Sequence, residues 1–203
     1  MMQEKITFYG ARHGETKMNA AGIIQGHMNE PLSATGLEQA HDLGRQLRAR
    51  KEELGINLIY SSDLLRAYIT ADIASSYLGV LVVQDPRLRE RNYGEFEGKT
   101  FGEVTGEFEV LDLESANPAG GETLAEFEAR IHAAMSDILS ANLDSKMLFV
   151  THGGVLRAKL KRFKNDKFPQ GVGHDIKNAE FFEFCIDSSL LDLGNESVDR
   201  RNH

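Results

Sequence analysis

Apolar and polar positions change their period several times along the 203 residues. Residues 5–11 alternate and are β-prone at Ile6, Phe8 and Tyr9, then break at Gly10 and Gly14, which predicts a strand running into a loop. Leu37, Ala40, Leu43, Leu47 and Leu54 then recur at helical spacing, with Thr35 as the expected N-cap and Glu38 three residues on. Asn57 to Ser61 reads as a short strand. Asp63 is expected to cap a helix marked by Leu65, Ile69 and Ile73, which puts Arg66 in its first turn. Strands at Leu81–Gln84, Met147–Thr151 and Ala179–Ile186, and helices over 123–141 and Val155–Phe163, complete the pattern. Strands alternating with helices predict an α/β fold: a three-layer α/β/α sandwich with a mostly parallel central sheet and helices on both faces. Residues 99–121, rich in Gly and Glu with an Asn-Pro step, are too long for an ordinary connection and read as a lid insertion. The polar stretch 188–203 lacks periodicity and is expected to be partly disordered.

Composition narrows the class. The length suits one core, so a single domain with an insertion is expected. No apolar run approaches the roughly 20 residues of a membrane-spanning helix, and the opening Met1-Met2-Gln3-Glu4-Lys5 lacks a basic leader and an apolar stretch, so a cytoplasmic protein is expected. Cys185 is the one cysteine, which excludes an internal disulfide and suggests a buried structural thiol. A net charge of −8 argues against a nucleic-acid partner. It leaves room for a small phosphate ester, because such a ligand needs only a local cluster of cations. The basic run from Arg157 to Lys167 is read as a solvated helix face, with an RNA-binding stripe the lesser reading.

In an open parallel sheet, active residues stand on loops beyond the carboxyl ends of strands. Arg12 and His13 follow the first predicted strand, Arg66 the second, Glu90 the third and His152 the fourth. Singly, Arg66 fits a helix salt bridge, Glu90 a loop carboxylate and His152 a ring satisfied by backbone. Together, two imidazoles, two guanidiniums and a carboxyl suit phosphoryl transfer, whose transition state spreads charge over equatorial oxygens and needs fixed cations, a nucleophile and a proton donor. His13 beside Arg12, Arg66 and a second histidine is expected to stay neutral and able to attack phosphorus. Glu90 is then the acid for the leaving oxygen, if its surroundings hold that proton. His27, His41, His132, His174 and His203 form no His-x-His or His-Glu-x-x-His pair, so no metal site is expected, and His174, in a glycine-rich loop, is read as a surface residue, with a place lining the pocket the lesser reading. Gly94 to Thr100 has three residues between its glycines where a P-loop has four, which excludes an ATPase reading.

These residues also carry a resemblance. Ala11-Arg12-His13-Gly14-Glu15-Thr16, followed by Asn19, Gln25-Gly26 and Pro31-Leu32, resembles the opening signature of the histidine phosphatase superfamily, also called the phosphoglycerate mutase-like family. Ser62-Asp63-Leu64-Leu65-Arg66-Ala67 with Thr70-Ala71, Leu88-Arg89-Glu90 with Tyr93-Gly94 and Glu97-Gly98, Gly120-Gly121-Glu122-Thr123, and Thr151-His152-Gly153-Gly154 fit in the family's order. The resemblance implies that His13 becomes phosphohistidine, that Arg12, Arg66 and His152 grip the phosphoryl oxygens, and that Glu90 donates a proton and later activates water. Asn19, Gln25, Gly26 and Gly153 match further phosphate-contacting positions. It also implies chemistry with no metal or cofactor, on a small phosphorylated metabolite, with inorganic phosphate as product.

The sequence also departs from the family's pattern, at the pocket mouth without touching the proposed catalytic groups and in two places that bear on the reaction. Met18 and Asn29 stand where many members have an aromatic residue and an aspartate. A phosphoglycerate mutase is expected to carry Glu-Arg-His-Tyr-Gly, and here the stretch reads Glu90-Arg91-Asn92-Tyr93-Gly94. The insertion holds Glu103, Glu107, Glu109, Asp112 and Glu114 with no arginine, and an acidic lid repels a doubly charged intermediate that must stay bound. Hydrolysis is therefore favoured over the mutase reaction, with a non-catalytic phospho-ligand binder as the third reading.

Overall fold

The computed structural model describes residues 5–108, 113, 116–162 and 176–188. Its elements run β1 (Lys5–Arg12), α1 (Lys17–Ala20), α2 (Ala34–Ala49), α3 (Lys51–Leu54), β2 (Leu58–Ser61), α4 (Leu65–Leu78), β3 (Leu81–Gln84), α5 (Phe101–Phe108), α6 (Leu124–Ala141), β4 (Met147–Thr151), α7 (Gly153–Arg162) and β5 (Phe181–Asp187), with short 3-10 turns at Pro86–Leu88 and Gly94–Phe96. The tail beyond Ser188, the loop holding His174, the basic run beyond Arg162 and most of the acidic stretch 109–115 lie outside the described residues.

The strands form one sheet in the order β3-β2-β4-β1-β5. β3, β2, β4 and β1 are parallel, with Ile59 beside Leu148 and Tyr9 beside Leu148 from the other side. β5 closes the edge antiparallel to β1, from Lys5 opposite Asp187 to Ala11 opposite Phe181. Successive strand side chains point to opposite faces. Ile6, Phe8, Met147, Phe149, Phe184 and Ile186 meet α6 and α7 on one face through Phe127, Ile131, Met135, Ile138, Leu139, Val155 and Leu156. Tyr9, Ala11, Ile59, Leu148 and Val150 meet α2 and α4 on the other through Leu43, Leu47, Ala71, Ala74 and Leu78. Every residue of β4 is buried, as a strand covered on both faces requires. The three layers expected from the sequence are thus present. Among the described residues, no helix is long and apolar enough to cross a membrane.

Several local expectations are corrected. Ser33, not Thr35, caps α2, its side-chain oxygen accepting from the Gly36 amide at 3.0 Å. Leu54 belongs to α3, beyond the break at Arg50. Asp63 does not cap α4, whose N-cap is Leu64 with no side-chain bond; its carboxylate instead pairs with the Arg89 guanidinium. The buried face of α4 is Arg66, Ala67, Thr70, Ala71, Ala74 and Leu78, while Leu65 is exposed and Ile69 and Ile73 only half-buried. Alanines let α4 lie close against the sheet and α2, so burial follows the small residues rather than the large ones. Within residues 99–121, Val104 of α5 packs with Ile24, Phe96 and Ala116 in a small separate cluster.

Candidate active site

Because β1, β2, β3 and β4 are parallel, the segments leaving their carboxyl ends gather at one edge of the sheet. Arg12 ends β1 and His13 follows; His152 follows β4 at the mouth of α7. The His13 amide donates to the Thr151 carbonyl at 2.9 Å, and its own carbonyl accepts from Asn178 Nδ2 at 3.0 Å and the Ala179 amide at 3.2 Å. His13 is therefore fixed from two segments, the end of β4 and the residues just before β5.

Its ring is fixed as well. Nδ1 lies 2.7 Å from the Gly14 carbonyl oxygen. A carbonyl can only accept, so Nδ1 carries the proton and Nε2 keeps its lone pair. The Gly14 amide in turn donates to Thr70 Oγ1 at 3.0 Å, and the Thr70 hydroxyl donates to the Arg66 carbonyl at 2.7 Å, which ties the loop after β1 to α4. A Cβ on Gly14 would stand 2.4 Å from the Gly36 carbonyl oxygen, so this loop rests directly on the first turn of α2.

The His152 ring centroid is 5.2 Å from that of His13, at 61°. His152 is fully buried, and neither ring nitrogen has a hydrogen-bond partner among the described residues. Arg66, 1% exposed, donates from Nη1 to the Met28 carbonyl at 2.6 Å and from Nη2 to the Gly26 carbonyl at 2.8 Å, with Nε uncommitted among the described residues. Burial pushes its pKa down to about 10, against the pull of Glu90 and Glu97, so it is still a cation at neutral pH. Arg12 donates to the Ile176 carbonyl. Burial first, then Arg66 and Arg12, hold His13 well below the ordinary imidazole range. Burial, Arg66, His13 and Arg12 do the same to His152. Both rings are neutral at physiological pH, as expected for His13.

Glu90 arrives after the 3-10 turn that follows β3. Its Oε2 accepts from the Gly154 amide at 2.9 Å and its Oε1 from the Arg91 amide at 3.0 Å. A Cβ on Gly154 would stand 2.1 Å from Glu90 Oε1, so the first turn of α7 lies against the carboxyl. Gly153 lies where a Cβ would come 3.2 Å from Arg157 Nη1 and 3.6 Å from Arg12 Nε. Gly26, with φ +48°, has its α-carbon against the Glu97 carboxylate, and that carboxylate accepts from the His27 and Tyr93 amides. Asn19 Oδ1 accepts from the Thr16 amide and Gln25 Oε1 accepts from the Thr16 hydroxyl. Both side-chain oxygens brace the loop after His13.

All five residues expected to do chemistry thus meet at one edge of the sheet, with a helix N-terminus suited to an anion beside them. Sequence reasoning missed several groups that hold them. His27, given no role, donates from Nε2 to the Glu90 carbonyl at 2.9 Å. Thr70 stood inside a recognised dipeptide but without a function. Asn178 carries no signal in the sequence, since it acts on a backbone carbonyl, and neither does Arg130, which pairs with the Glu122 carboxylate and holds the carbonyls of Arg87, Arg89 and Glu90.

Residues 8–193 match the model of the histidine phosphatase superfamily (branch 1), and the chain belongs to that family. It is 40% identical over 157 residues to the probable phosphoglycerate mutase GpmB of Yersinia pestis (strain Pestoides F), covering 74% of this chain and 71% of that protein. Among solved structures, it resembles a mycobacterial glucosyl-3-phosphoglycerate phosphatase complexed with VO3, with a TM-score of 0.75 and 27% identity over 88% of this chain and 90% of the other. It also resembles a phosphoglycerate mutase from Bacillus anthracis str. Sterne, with a TM-score of 0.74 and 25% identity over 96% and 98% of the two chains. The relatives include both phosphatases and mutases.

Proposed function

We propose that this enzyme hydrolyses small phosphomonoesters without a metal, through a phosphohistidine on His13 with Glu90 as proton donor. The observation that carries this reading is the bond from His13 Nδ1 to the Gly14 carbonyl, which presents Nε2 as a free base between buried cations. Nε2 attacks phosphorus, the bond to the ester oxygen breaks, and Glu90 gives that oxygen its proton. Arg12, Arg66 and a ring N–H of His152 take the equatorial oxygens where charge accumulates. In the second step the Glu90 carboxylate removes a proton from water, the water oxygen attacks phosphorus, and the bond to Nε2 breaks. Inorganic phosphate leaves and both residues return to their first state.

A mutase needs further cations for a second phosphate and a carboxylate. The arginines around Glu90 are committed elsewhere: Arg87 to Asp85 and Asp137, Arg89 to Asp63, and Arg91 to the carbonyls of Leu113, Ala116 and Glu122. This favours hydrolysis. The name of the Yersinia relative favours the mutase as the second reading.

Phosphate release from an aryl phosphate and a panel of metabolite monoesters, in the presence of a chelator, tests the proposal. Chelator-resistant release that disappears in His13→Ala is the expected result. Movement of phosphate between two hydroxyls of one substrate, with none released, would mark a mutase, and binding without turnover would mark a non-catalytic relative.

A further inference from the structure

Arg130 stands on the second turn of α6, away from the two histidines, yet all five of its N–H donors are used. Nε and Nη2 form a two-pronged pair with the Glu122 carboxylate, each bond 2.7 Å long. Nη1 donates to the carbonyls of Arg87 at 2.8 Å and Arg89 at 3.0 Å, and Nη2 donates to the Glu90 carbonyl at 3.1 Å. Thr151 Oγ1 takes the intervening Leu88 carbonyl at 2.8 Å, and His27 Nε2 shares that of Glu90. Every carbonyl from Arg87 to Glu90 is therefore held by a side chain. Among the described residues this segment has no sheet neighbour to hold it, because β3 ends at Gln84.

Glu122 extends the clamp into the insertion. Its Oε2 also accepts from the Asn92 amide at 2.9 Å, and its carbonyl accepts from Arg91 Nε at 2.8 Å. Arg91 holds the Leu113 and Ala116 carbonyls, and its amide is one of the two that orient the Glu90 carboxyl. The segment bearing Glu90 is thus a junction between α6 and the base of the insertion.

We propose that Arg130 is a positioning residue for Glu90: its planar fork, anchored by Glu122, sets where the carboxyl meets the leaving oxygen. The inference rests on the reading of Glu90 as proton donor. A proton donor a fraction of an ångström out of place loses its effect on leaving groups that need a proton and has none to lose on those that do not. An ammonium offers three donors and no fork, so Arg130→Lys cannot remake the five bonds.

The test compares kcat/KM on phenyl phosphate, a poor leaving group, and dinitrophenyl phosphate, a good one, for wild type, Glu90→Gln, Arg130→Lys and the double variant. Glu90→Gln is expected to slow phenyl phosphate about 100-fold and dinitrophenyl phosphate less than about threefold. Arg130→Lys is expected to slow phenyl phosphate about tenfold, again sparing the other ester, with the double variant no slower than Glu90→Gln alone. Equal slowing of both esters by Arg130→Lys, or losses that multiply in the double variant, would leave Arg130 a general structural residue and overturn the inference alone. Equal slowing by Glu90→Gln would remove the proton-donor reading and the inference with it. Should Arg130→Lys not fold, Glu122→Gln, which keeps the side chain's shape and turns an N–H toward the guanidinium, is expected to give the same ester-selective loss.

Discussion

A buried polar atom with no hydrogen bond costs a fold about 1–3 kcal/mol, and the His152 ring has two such nitrogens among the described residues. A leucine of similar bulk would remove that cost, so stability alone does not account for the histidine. Under the proposed mechanism its use lies in the N–H it offers to a phosphoryl oxygen beside His13. His152→Leu is accordingly expected to raise the melting temperature by a few degrees, at about 2–4 °C per kcal/mol for a chain of this size. Phosphate release should fall about 100-fold or more, as when one donor to a developing oxyanion is lost. Thermal unfolding and turnover measured on the same sample check both halves. A lower melting temperature would show that the fold itself satisfies the ring.

Among the elements, α2 touches the loop after β1 by backbone against backbone. A Cβ on Gly36 would stand 2.0 Å from the Glu15 carbonyl oxygen, an atom that cannot rotate aside. A Cβ on Gly44, two turns along the same helix, would meet the Tyr77 ring first, at 2.4 Å, a side chain rather than backbone. Gly36→Ala is expected to displace the loop that orients His13, costing about 1–3 kcal/mol and most of the turnover. Gly44→Ala should lower stability with turnover retained, and thermal unfolding with a phosphatase assay separates the two. The sequence reveals the order of strands and helices and the junction residues Arg12, His13, Arg66, Glu90 and His152, because periodicity and chain order survive folding. It misplaces the buried face of α4, because Ala67, Ala71 and Ala74 pack closely without registering as a strong apolar stripe. It is silent on His27 and Asn178, which hold main-chain carbonyls that every residue has, and on Arg130, which joins three such carbonyls to the Glu122 carboxylate eight residues before it, a pairing that no motif announces. Helix starts also shift by a residue or two, as with Ser33, since any hydroxyl near the first turn is a candidate cap.

The whole molecule feels the two buried imidazoles through pH. Both are held well below the ordinary range, by burial first and by the arginines next. Above about pH 6.5 they are neutral whether the chain is folded or not. Below it the unfolded chain takes up protons that the folded chain refuses, so stability falls by up to about 1.4 kcal/mol per pH unit for each ring. Asp63, held low by its Arg89 hydrogen bonds, contributes stability that is lost only at more acidic pH. Urea midpoints between about pH 7.5 and 5 are therefore expected to decline, and His152→Leu to decline about half as steeply. An equal slope in the variant would place the titration elsewhere. A last consequence comes from the position of β1, which lies between β4 and β5 although it precedes both in the chain. A ribosome releases the strand leading to His13 long before residues 147–151 and 181–187 exist to flank it. Such distant pairings close slowly, and until they do the nascent chain exposes an unpaired apolar strand on which holding chaperones can act. The His13 backbone finds its partners at Thr151, Asn178 and Ala179 only when those segments arrive, so a partly synthesised chain lacks the bonds that fix it.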